Sequence, residues 1–211
     1  MLYLATPSSP EAREAMRAGD LGCMTTPAQG NRIPDHALIG ADNGKFGKHW
    51  RGAAHWYDWL ATTVTHYGAH RFLFAVAPDV PFNACGTLIE SMPWLLTIRQ
   101  LGIPAGFAAQ DGAEAGLVPW DDIDVLFLAG STEWKVGPAA QQLAQEALQR
   151  GLRVHMGRVN SRRRLRIAEA FGCATCDGTY LAYGPDLNLP RLLAWLAEVH
   201  QAPSLFSVPT D

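Results

Sequence analysis

Six short apolar runs in this chain are each followed by polar residues or glycine, and this repeat constrains the fold more than any other feature. The runs are LIGADNG at 38–44, FAVAPD at 74–79, FAAQD at 107–111, FLAGSTE at 127–133, VHMG at 154–157 and CATCDGT at 173–179. In parallel sheets, functional groups gather at the carboxyl ends of the strands. The repeat therefore predicts a parallel sheet with a functional site along one edge.

Strand-like and helix-like segments alternate along the chain. Strand-like runs lie near 2–6, 37–42, 71–77, 105–110, 124–129, 153–157 and 173–177, and helical patterns cover 9–18, 51–67, 84–101, 138–150, 160–171 and 189–200. Most strand-like runs are continuously apolar, which indicates burial on both faces. Seven units predict an α/β fold, a single compact (β/α)8 TIM-type barrel over residues 1–211. The eighth strand is expected near 179–183, unless the barrel is incomplete.

Composition limits the class of protein. Hydrophobic residues make up 48% of the chain, charged residues 18%, and the net charge is -3. No run approaches the roughly 20 apolar residues of a membrane span, and the N-terminus lacks a signal-peptide pattern, so a cytoplasmic protein without a membrane partner is expected. The four cysteines do not form a disulfide framework. Cys173 and Cys176 are expected on opposite faces of a strand, so neither a shared metal nor another cofactor is predicted.

Polar residues at the ends of the predicted strands form one candidate site. They are Asp42, Asp79, Gln110, Gly130, Met156 and Asp177. In a barrel they converge on one mouth, where two carboxylates can cleave a glycosidic bond by attack at the anomeric carbon and by proton transfer. A glutamine and nearby backbone groups can read a flat heterocycle, with a methionine against its face. The structural alternatives are helix N-caps for the aspartates, a surface loop for the glutamine and core packing for the methionine.

The order of the motifs resembles the tRNA-guanine transglycosylase superfamily. They run as Asp42-x-Gly44-x-Phe46, Asp79, Gln110-Asp111-Gly112, Ala129-Gly130-Ser131, His155-Met156-Gly157 and Cys176-Asp177. The longer strings PWDDIDVLFLAGSTEWK, VHMGRVNSRRRLR and CDGTYLAYGPDLNLPRL resemble its short phage and bacterial branch, the DNA deazaguanine transglycosylases. The resemblance covers about residues 37 to 196.

The resemblance implies a role for each matched residue. Asp177 corresponds to the nucleophile that attacks C1′, expels guanine and holds a covalent glycosyl-enzyme intermediate. Asp42 corresponds to the residue that manages the proton on the outgoing and incoming bases. The implied base-recognition set is Asp79, Gln110 and the Gly130 backbone, with Phe46 and Met156 stacking on the two faces of the base.

Two departures from the tRNA enzymes favour the DNA branch or a divergent activity over a standard tRNA enzyme. Their C-terminal C-x-C-x-x-C…His zinc site has no counterpart after residue 177. Lys45 also stands where they have a glycine. The expected partners are therefore DNA, with tRNA as the alternative, and a 7-deazaguanine base, and a homodimer or a partner protein is expected to help hold the polymer.

Five arginines fall within nine residues after the strand at 153–157. They are Arg158, Arg162, Arg163, Arg164 and Arg166. At a barrel mouth and a helix start they can bind phosphates of a nucleic acid. The structural alternative is a solvated helix face with Arg–Glu pairs. His155, Glu133 and Lys135 are secondary site candidates.

Three functions remain open from the sequence. The first is a guanine transglycosylase that inserts a 7-deazaguanine derivative into DNA or tRNA. The second is a hydrolytic nucleobase glycosidase that uses the same carboxylates, with water replacing the incoming base. The third is a non-catalytic barrel subunit that binds nucleic acid or a catalytic partner.

Overall fold

The computed structural model describes residues 1–201 and contains a closed barrel of eight parallel strands. The strands are β1 (Leu2–Ala5), β2 (Gly22–Thr25), β3 (Ile39–Ala41), β4 (Phe72–Val76), β5 (Ala105–Ala109), β6 (Val125–Leu128), β7 (Arg153–Met156) and β8 (Thr175–Asp177). Each strand pairs with the next, and β8 pairs with β1 to close the ring. The predicted (β/α)8 barrel is confirmed. The one-domain prediction for 1–211 stays a prediction, and its last ten residues lie outside the described residues.

Seven α-helices surround the strands in residues 1–201. They are α1 (Pro10–Ala18), α2 (Ala53–Tyr67), α3 (Ala84–Gln100), α4 (Thr132–Lys135), α5 (Pro138–Gln149), α6 (Arg162–Ala170) and α7 (Pro185–Gln201). A loop without an α-helix connects β2 to β3, and only two 3-10 turns, 113–115 and 120–122, lie between β5 and β6. These two short connections explain how a complete barrel fits into so few residues. None of the described helices is long and apolar enough to cross a bilayer.

The expected position of the eighth strand was wrong. Residues Tyr180–Ala182 form a 3-10 helix, and the strand missing from the sequence pattern is β2, between α1 and β3. This strand is short and begins with Gly22, where a β-carbon would lie only 2.4 Å from Leu4 Cδ2. Glycine is there because the Leu4 side chain fills that space, and a glycine-led strand of four residues gives a weak sequence signal.

Hydrophobic side chains fill the inside of the barrel below its carboxyl mouth. This inner cluster contains Leu4, Met24, Phe74, Val76, Ala108, Val125 and Phe127. A β-carbon on Gly40 would lie 2.6 Å from Leu4 Cδ1 and 3.1 Å from Phe74 Cζ, so the glycine makes room for both large side chains. A separate, larger cluster packs between the strands and the helices. The interior is therefore a packed core, and only its upper end is open to ligands.

Side-chain caps fix the starts of four of the described helices. Ser9, Asn83, Ser131 and Ser161 each accept a hydrogen bond from a backbone N–H in the first turn of α1, α3, α4 and α6, respectively. These caps satisfy donors that the helix itself leaves unpaired.

Candidate active site

A small cavity of about 150 Å³ opens at the carboxyl mouth of the barrel. The residues lining it are Asp42, Asn43, Phe46, Val76, Asp79, Pro81, Phe82, Ala108, Gln110, Phe127, Ala129, Gly157, Arg158 and Asp177. Three carboxyl groups share this space although they come from three different strand ends. The structure thus brings together Asp42, Asp79, Gln110, Phe46, Arg158 and Asp177, all of which the sequence singled out.

A buried histidine holds Asp177 at the end of β8. His155 Nε2 lies 3.0 Å from Asp177 Oδ1, and His155 Nδ1 lies 2.8 Å from Thr175 Oγ1. An ionised carboxylate only accepts hydrogen bonds, so Nε2 donates to it, and in a neutral imidazole Nδ1 then accepts from the threonine hydroxyl. The ring also lies 4.4 Å from the Phe127 ring, centre to centre, and is fully buried. His155 was only a secondary candidate, and the structure places it directly against Asp177.

The backbone next to Asp177 is fixed by the loop that follows β7. The Val159 N–H donates to the Asp177 carbonyl over 2.6 Å, and the Thr179 N–H donates to Asn160 Oδ1 over 2.7 Å. Gly178 lies so close to this loop that a β-carbon would be 2.5 Å from Tyr3 Oη and 2.8 Å from the Val159 carbonyl oxygen. The position of Asp177 therefore depends on close packing that only glycine permits.

Asp42 follows β3 and has few hydrogen-bond partners. Its Oδ1 accepts the Gly44 N–H over 2.7 Å. Burial raises the pKa of Asp42 to about 7, and the hydrogen bond from Gly44 partly offsets this by lowering it. The negative charges of Asp177 and Asp79 raise the pKa further. A carboxyl group with a pKa near neutrality can both give and take a proton at working pH.

Asp79 belongs to a network of amide side chains. Its two oxygens accept from Asn43 Nδ2 over 2.9 Å and from Gln110 Nε2 over 2.6 Å. Gln110 Oε1 in turn accepts the Phe82 N–H over 3.0 Å. Burial raises the pKa of Asp79, while the two amide donors lower it. The network fixes the orientation of both amides, so it presents a defined hydrogen-bonding edge to the cavity.

Two phenylalanines and an arginine form the rim of the cavity. The Phe46 and Phe82 rings meet edge to face with their centres 6.0 Å apart, and the Arg158 guanidinium carbon lies 5.3 Å from the Phe46 ring centre. Phe82 and Arg158 both have positive backbone φ angles, 62° and 57°. Such strain in non-glycine residues is often found at functional sites.

Met156 does not face the cavity, so its predicted role in stacking on a base is wrong. Successive residues of a strand point to opposite faces. His155 of β7 points into the barrel, and Met156 therefore points outward, fully buried in the cluster between strands and helices. The sequence prediction placed Met156, rather than His155, on the inner face of β7. The second aromatic or apolar surface at the cavity rim is Phe82.

Gly130 and Glu133 are not among the residues that line the cavity. The Gly130 N–H donates to the Ala109 carbonyl over 3.2 Å, and its carbonyl accepts from Arg158, so these backbone groups are already paired and Ala129 lines the cavity instead. The contact of the Gly130 backbone with a base stays a prediction. Gly130 is needed because a β-carbon would lie 2.6 Å from Asp111 Oδ2. Glu133 is exposed at the first turn of α4.

The arginines divide into two groups. Arg158 lines the cavity, and Arg164 Nη1 donates to the Arg158 carbonyl over 3.2 Å. Arg162 instead pairs with Glu198 of α7, as does Arg166, and Arg163 is exposed. Arg–Glu pairing, the structural alternative, is therefore correct for Arg162 and Arg166, although the partner is Glu198.

Lys135 is fully buried at the end of α4. Among the described residues its Nζ has no hydrogen-bond partner. Burial lowers the pKa of Lys135 to about 7; Arg158 and Arg164 act in the same direction, and Asp177 opposes them. The lysine does not line the cavity, but its charge interacts with a residue that does.

Asn43, Thr175 and Phe82 complete the site but were not singled out from the sequence. Asn43 is part of the D-N-G turn after β3, whose composition indicated only a turn. Thr175 becomes visible only through strand pairing, which places it opposite His155. Phe82 follows Pro81 in a loop, where an aromatic residue carries no positional signal. Once the order and register of the strands are known, the pairing of Thr175 with His155 identifies the threonine as a candidate site residue.

The described residues contain no group of three or more side chains suited to hold a metal ion. Cys173 and Cys176 both lie in the outer cluster, and Cys173 precedes β8 rather than belonging to it. The expectation that the two sulfurs face opposite sides of a strand was wrong for this reason. Burial raises the pKa of both thiols, which disfavours the thiolate that binds metals.

Comparison with known proteins adds a fold but no family. No family model and no curated protein matches this sequence. The structure described as native KDPGal is similar over 95% of this chain and 93% of its own, with 15% identity and a TM-score of 0.57. A designed cube-shaped, porous protein cage matches over 95% of this chain and 71% of its own, with 15% identity and a TM-score of 0.51.

The Bacillus subtilis YkuI protein, with an EAL domain and bound c-di-GMP and calcium, matches over 78% of this chain, with 14% identity and a TM-score of 0.46. This chain spans 44% of the length of that protein. At these identities the two similarities with TM-scores above 0.5 establish the barrel fold alone.

Proposed function

We propose that this barrel is a nucleic-acid guanine transglycosylase that exchanges guanine for a 7-deazaguanine derivative, with DNA as the polymer. One observation carries the proposal. Asp177, held by a buried histidine, shares a cavity of about 150 Å³ with Asp42, a carboxyl group whose pKa is about 7. A retaining displacement at a glycosidic carbon needs this pair: one carboxylate for attack and one proton carrier.

The exchange takes place in two displacements. An Asp177 oxygen attacks C1′ of the nucleotide, the bond from C1′ to the base nitrogen breaks, and protonated Asp42 gives its proton to the departing base. The incoming base then loses a proton to Asp42, its nitrogen attacks C1′, and the ester bond to Asp177 breaks. Charge and protons balance over the cycle, and both carboxyl groups return to their starting forms.

The cavity supports recognition of one flat, polar ring. Asp79, fixed by Asn43 and Gln110, offers carboxylate lone pairs to ring N–H groups, while Gln110 and the Ala129 backbone lie beside it. Phe46 and Phe82 supply apolar surface at the rim. The small volume suits a single base that has left the stack of its polymer.

The polymer assignment depends on the charge at the mouth and on the resemblance. Arg158 and Arg164 lie beside the cavity and can contact phosphates on either side of a flipped nucleotide. Lys45, which stands where the tRNA enzymes have a glycine, favours DNA. tRNA is the alternative polymer and is tested alongside DNA.

Incorporation of radiolabelled guanine into polymer tests the proposal. The protein is incubated with labelled guanine and either duplex DNA, single-stranded DNA or unmodified tRNA, and the polymer is recovered and counted. We expect label in DNA with the wild-type protein and none with Asp177→Asn. Release of guanine with abasic sites and without incorporation would instead identify a hydrolase, and no reaction with any polymer would favour a binding subunit.

A further inference from the structure

The strongly exposed aromatic side chains of this protein belong to loops at one end of the barrel. Within residues 1–201 they are Phe46, Phe82 and Tyr183, with exposed fractions of 67%, 51% and 79%. They follow β3, β4 and β8, respectively, and therefore lie in loops at the carboxyl ends of the strands. Aromatic rings that are open to solvent are the surfaces on which proteins stack unpaired bases.

The Phe46 and Phe82 rings lie nearly at a right angle to each other. Their planes are inclined by 81°, with the ring centres 6.0 Å apart. Both residues line the cavity, whose volume of about 150 Å³ suits a single base. A flat base that lies against the face of one ring meets the other ring edge-on, so the two rings cannot both stack on the same base. One of the two rings is therefore left with a face for a second flat group.

Phe82 is held in a strained conformation at this rim. Its φ angle of 62° lies in a region that bulky side chains rarely adopt. Its N–H donates to Gln110 Oε1 over 3.0 Å, and the next residue, Asn83, accepts the Gly86 N–H over 2.9 Å. Strain of this kind persists only where the surroundings enforce it. Because about half of the residue is exposed, core packing does not account for the conformation.

Cations flank the two rings. The Arg158 guanidinium carbon lies 5.3 Å from the Phe46 ring centre and 6.0 Å from the Phe82 ring centre. Arg164 contacts the Arg158 carbonyl, and Arg163 is exposed beside it. Exposed rings next to cations match single-stranded nucleic acid, whose bases stack on aromatic faces while its phosphates contact positive charges. An apolar protein partner would instead have to desolvate the guanidinium group.

We propose that Phe82 stacks on the polymer base next to the one that enters the cavity, while Phe46 faces the base inside the cavity. This inference rests on the proposed function. A base that leaves its stack deprives its neighbour of a stacking partner. A ring fixed nearly perpendicular to Phe46 replaces that partner, because the extruded base and its neighbour no longer lie parallel.

Binding of short single-stranded DNA oligonucleotides tests this assignment without depending on turnover. Each oligonucleotide contains one guanine, and either the guanine or one of its neighbours is replaced by an abasic site. Affinities are measured by fluorescence anisotropy at fixed salt concentration, in the Asp177→Asn background. We expect Phe82→Ala to weaken binding of the intact oligonucleotide about five- to a hundredfold, as for loss of one stacked base. It should have little effect when the neighbouring base on one side is already absent.

Phe46→Ala should show the complementary pattern. Its effect on affinity should disappear when the guanine itself is replaced by an abasic site, and should persist when only a neighbour is replaced. Because the two rings touch, this pair of variants separates two adjacent aromatic surfaces by the base to which each one responds.

Three further variants are controls. Phe82→Tyr keeps the flat ring and should bind like the parent protein, whereas Phe82→Leu keeps apolar bulk without a flat face and should bind like Phe82→Ala. Leu96→Ala should change none of the affinities. Leu96 is 65% exposed, but it lies about 18 Å along α3 from the end of that helix nearest the cavity.

The outcomes separate this inference from the proposed function. If the effect of Phe82→Ala disappears only when the guanine is absent, Phe82 is a wall of the cavity and the inference is overturned, even if the enzyme exchanges bases. An equal effect on every oligonucleotide, or no binding to any of them, overturns it as well. The expected dependence on the neighbouring base without any base exchange would support the stacking role and reject the transglycosylase. Should Phe82→Ala fail to fold, Phe82→Leu with the same oligonucleotides still decides.

Discussion

Three carboxyl groups in one cavity have three different sets of partners, and the differences define what each can do. Asp177 is bound by an imidazole, Asp79 by two amides, and Asp42 by one backbone N–H. Asp42, whose one donor is a backbone N–H, is the group whose pKa burial raises to about 7. Under the proposed function, these local contacts suit Asp177 to attack, Asp79 to recognition of the base and Asp42 to proton transfer.

The raised pKa of Asp42 predicts a dependence of stability on pH. The folded protein holds this proton more tightly than the unfolded chain, whose carboxyl pKa is 3.8. Its contribution to stability is therefore present below about pH 4 and is lost as the pH rises through about 7. Asp42→Asn should raise the free energy of unfolding by on the order of 1 kcal/mol at pH 8 and by much less at pH 4. Urea titrations at both values check this, and an equal effect at both would contradict it.

The hydrogen bond from Thr175 to His155 predicts a defect in catalysis without loss of the fold. Thr175→Val removes the hydroxyl that fixes the imidazole but keeps the shape of the side chain. The rate of base exchange should fall roughly ten- to a hundredfold, as for other groups that orient a reacting residue through a partner. Thr175→Ser, which retains the hydroxyl, is the control. Equal rates in both variants would show that the imidazole needs no such support.

At the scale of elements, the end of β8 and the loop after β7 act as one unit. Val159 and Asn160 of that loop bind the backbone on both sides of Gly178, and Tyr3 of β1 donates to the Val159 carbonyl over 3.2 Å. Three segments distant in sequence therefore determine where Asp177 lies. This packing has no signature in the sequence other than a glycine after the aspartate.

Gly178→Ala tests the dependence of the site on this packing. The new methyl group would lie 2.2 Å from Asn160 Oδ1 and 2.8 Å from a backbone carbonyl, so the loop or β8 has to move. We expect a loss of about 1–3 kcal/mol in the free energy of unfolding, typical of overpacking, and base exchange reduced by more than about tenfold. Gly30→Ala is the control, since that position has nothing within 4 Å of the added methyl group. Unchanged activity in Gly178→Ala would show that Asp177 does not depend on this packing.

The elements also show which features a sequence can predict. Long buried strands such as β4 and β5 have continuous apolar runs, and the polar residues at the carboxyl ends of β3, β4, β5 and β8 indeed converge at one mouth. Two errors have physical causes. The four residues of β2 contain glycine and threonine, so no apolar run marks them. In β7 both His155 and Met156 are buried. Because the strand is buried on both faces, its sequence does not indicate which of the two residues points into the barrel.

For the whole molecule, omission of α-helices after β2 and β5 leaves a minimal barrel around one mouth. Arg158 and Arg164 lie at this mouth, while Arg162 and Arg166 are paired with Glu198. The net charge of -3 shows that any attraction to a polymer is local. The nucleic-acid substrate is implied by a resemblance of sequence motifs. The similar solved structures show the barrel fold and give no information about the substrate.

This distribution of charge predicts how DNA binding depends on salt. With Asp177→Asn to prevent reaction, the logarithm of the affinity for single-stranded DNA should fall linearly with the logarithm of salt concentration. Arg164→Gln should reduce the slope by about one phosphate contact. Arg17→Gln, in the last turn of α1 at the opposite end of the barrel, is the control. Identical slopes for the two variants would contradict a phosphate contact at the mouth.

A covalent intermediate on Asp177 is the decisive feature of the proposed exchange, and its mass can be measured. Protein is incubated with guanine-containing oligonucleotides of DNA and, separately, of tRNA sequence, quenched in acid and analysed by intact mass spectrometry. We expect an adduct with the mass of the oligonucleotide less one guanine, mapped to the peptide that contains Asp177 and absent from Asp177→Asn. Base exchange without this adduct, or an adduct that persists in Asp177→Asn, would contradict nucleophilic attack by Asp177.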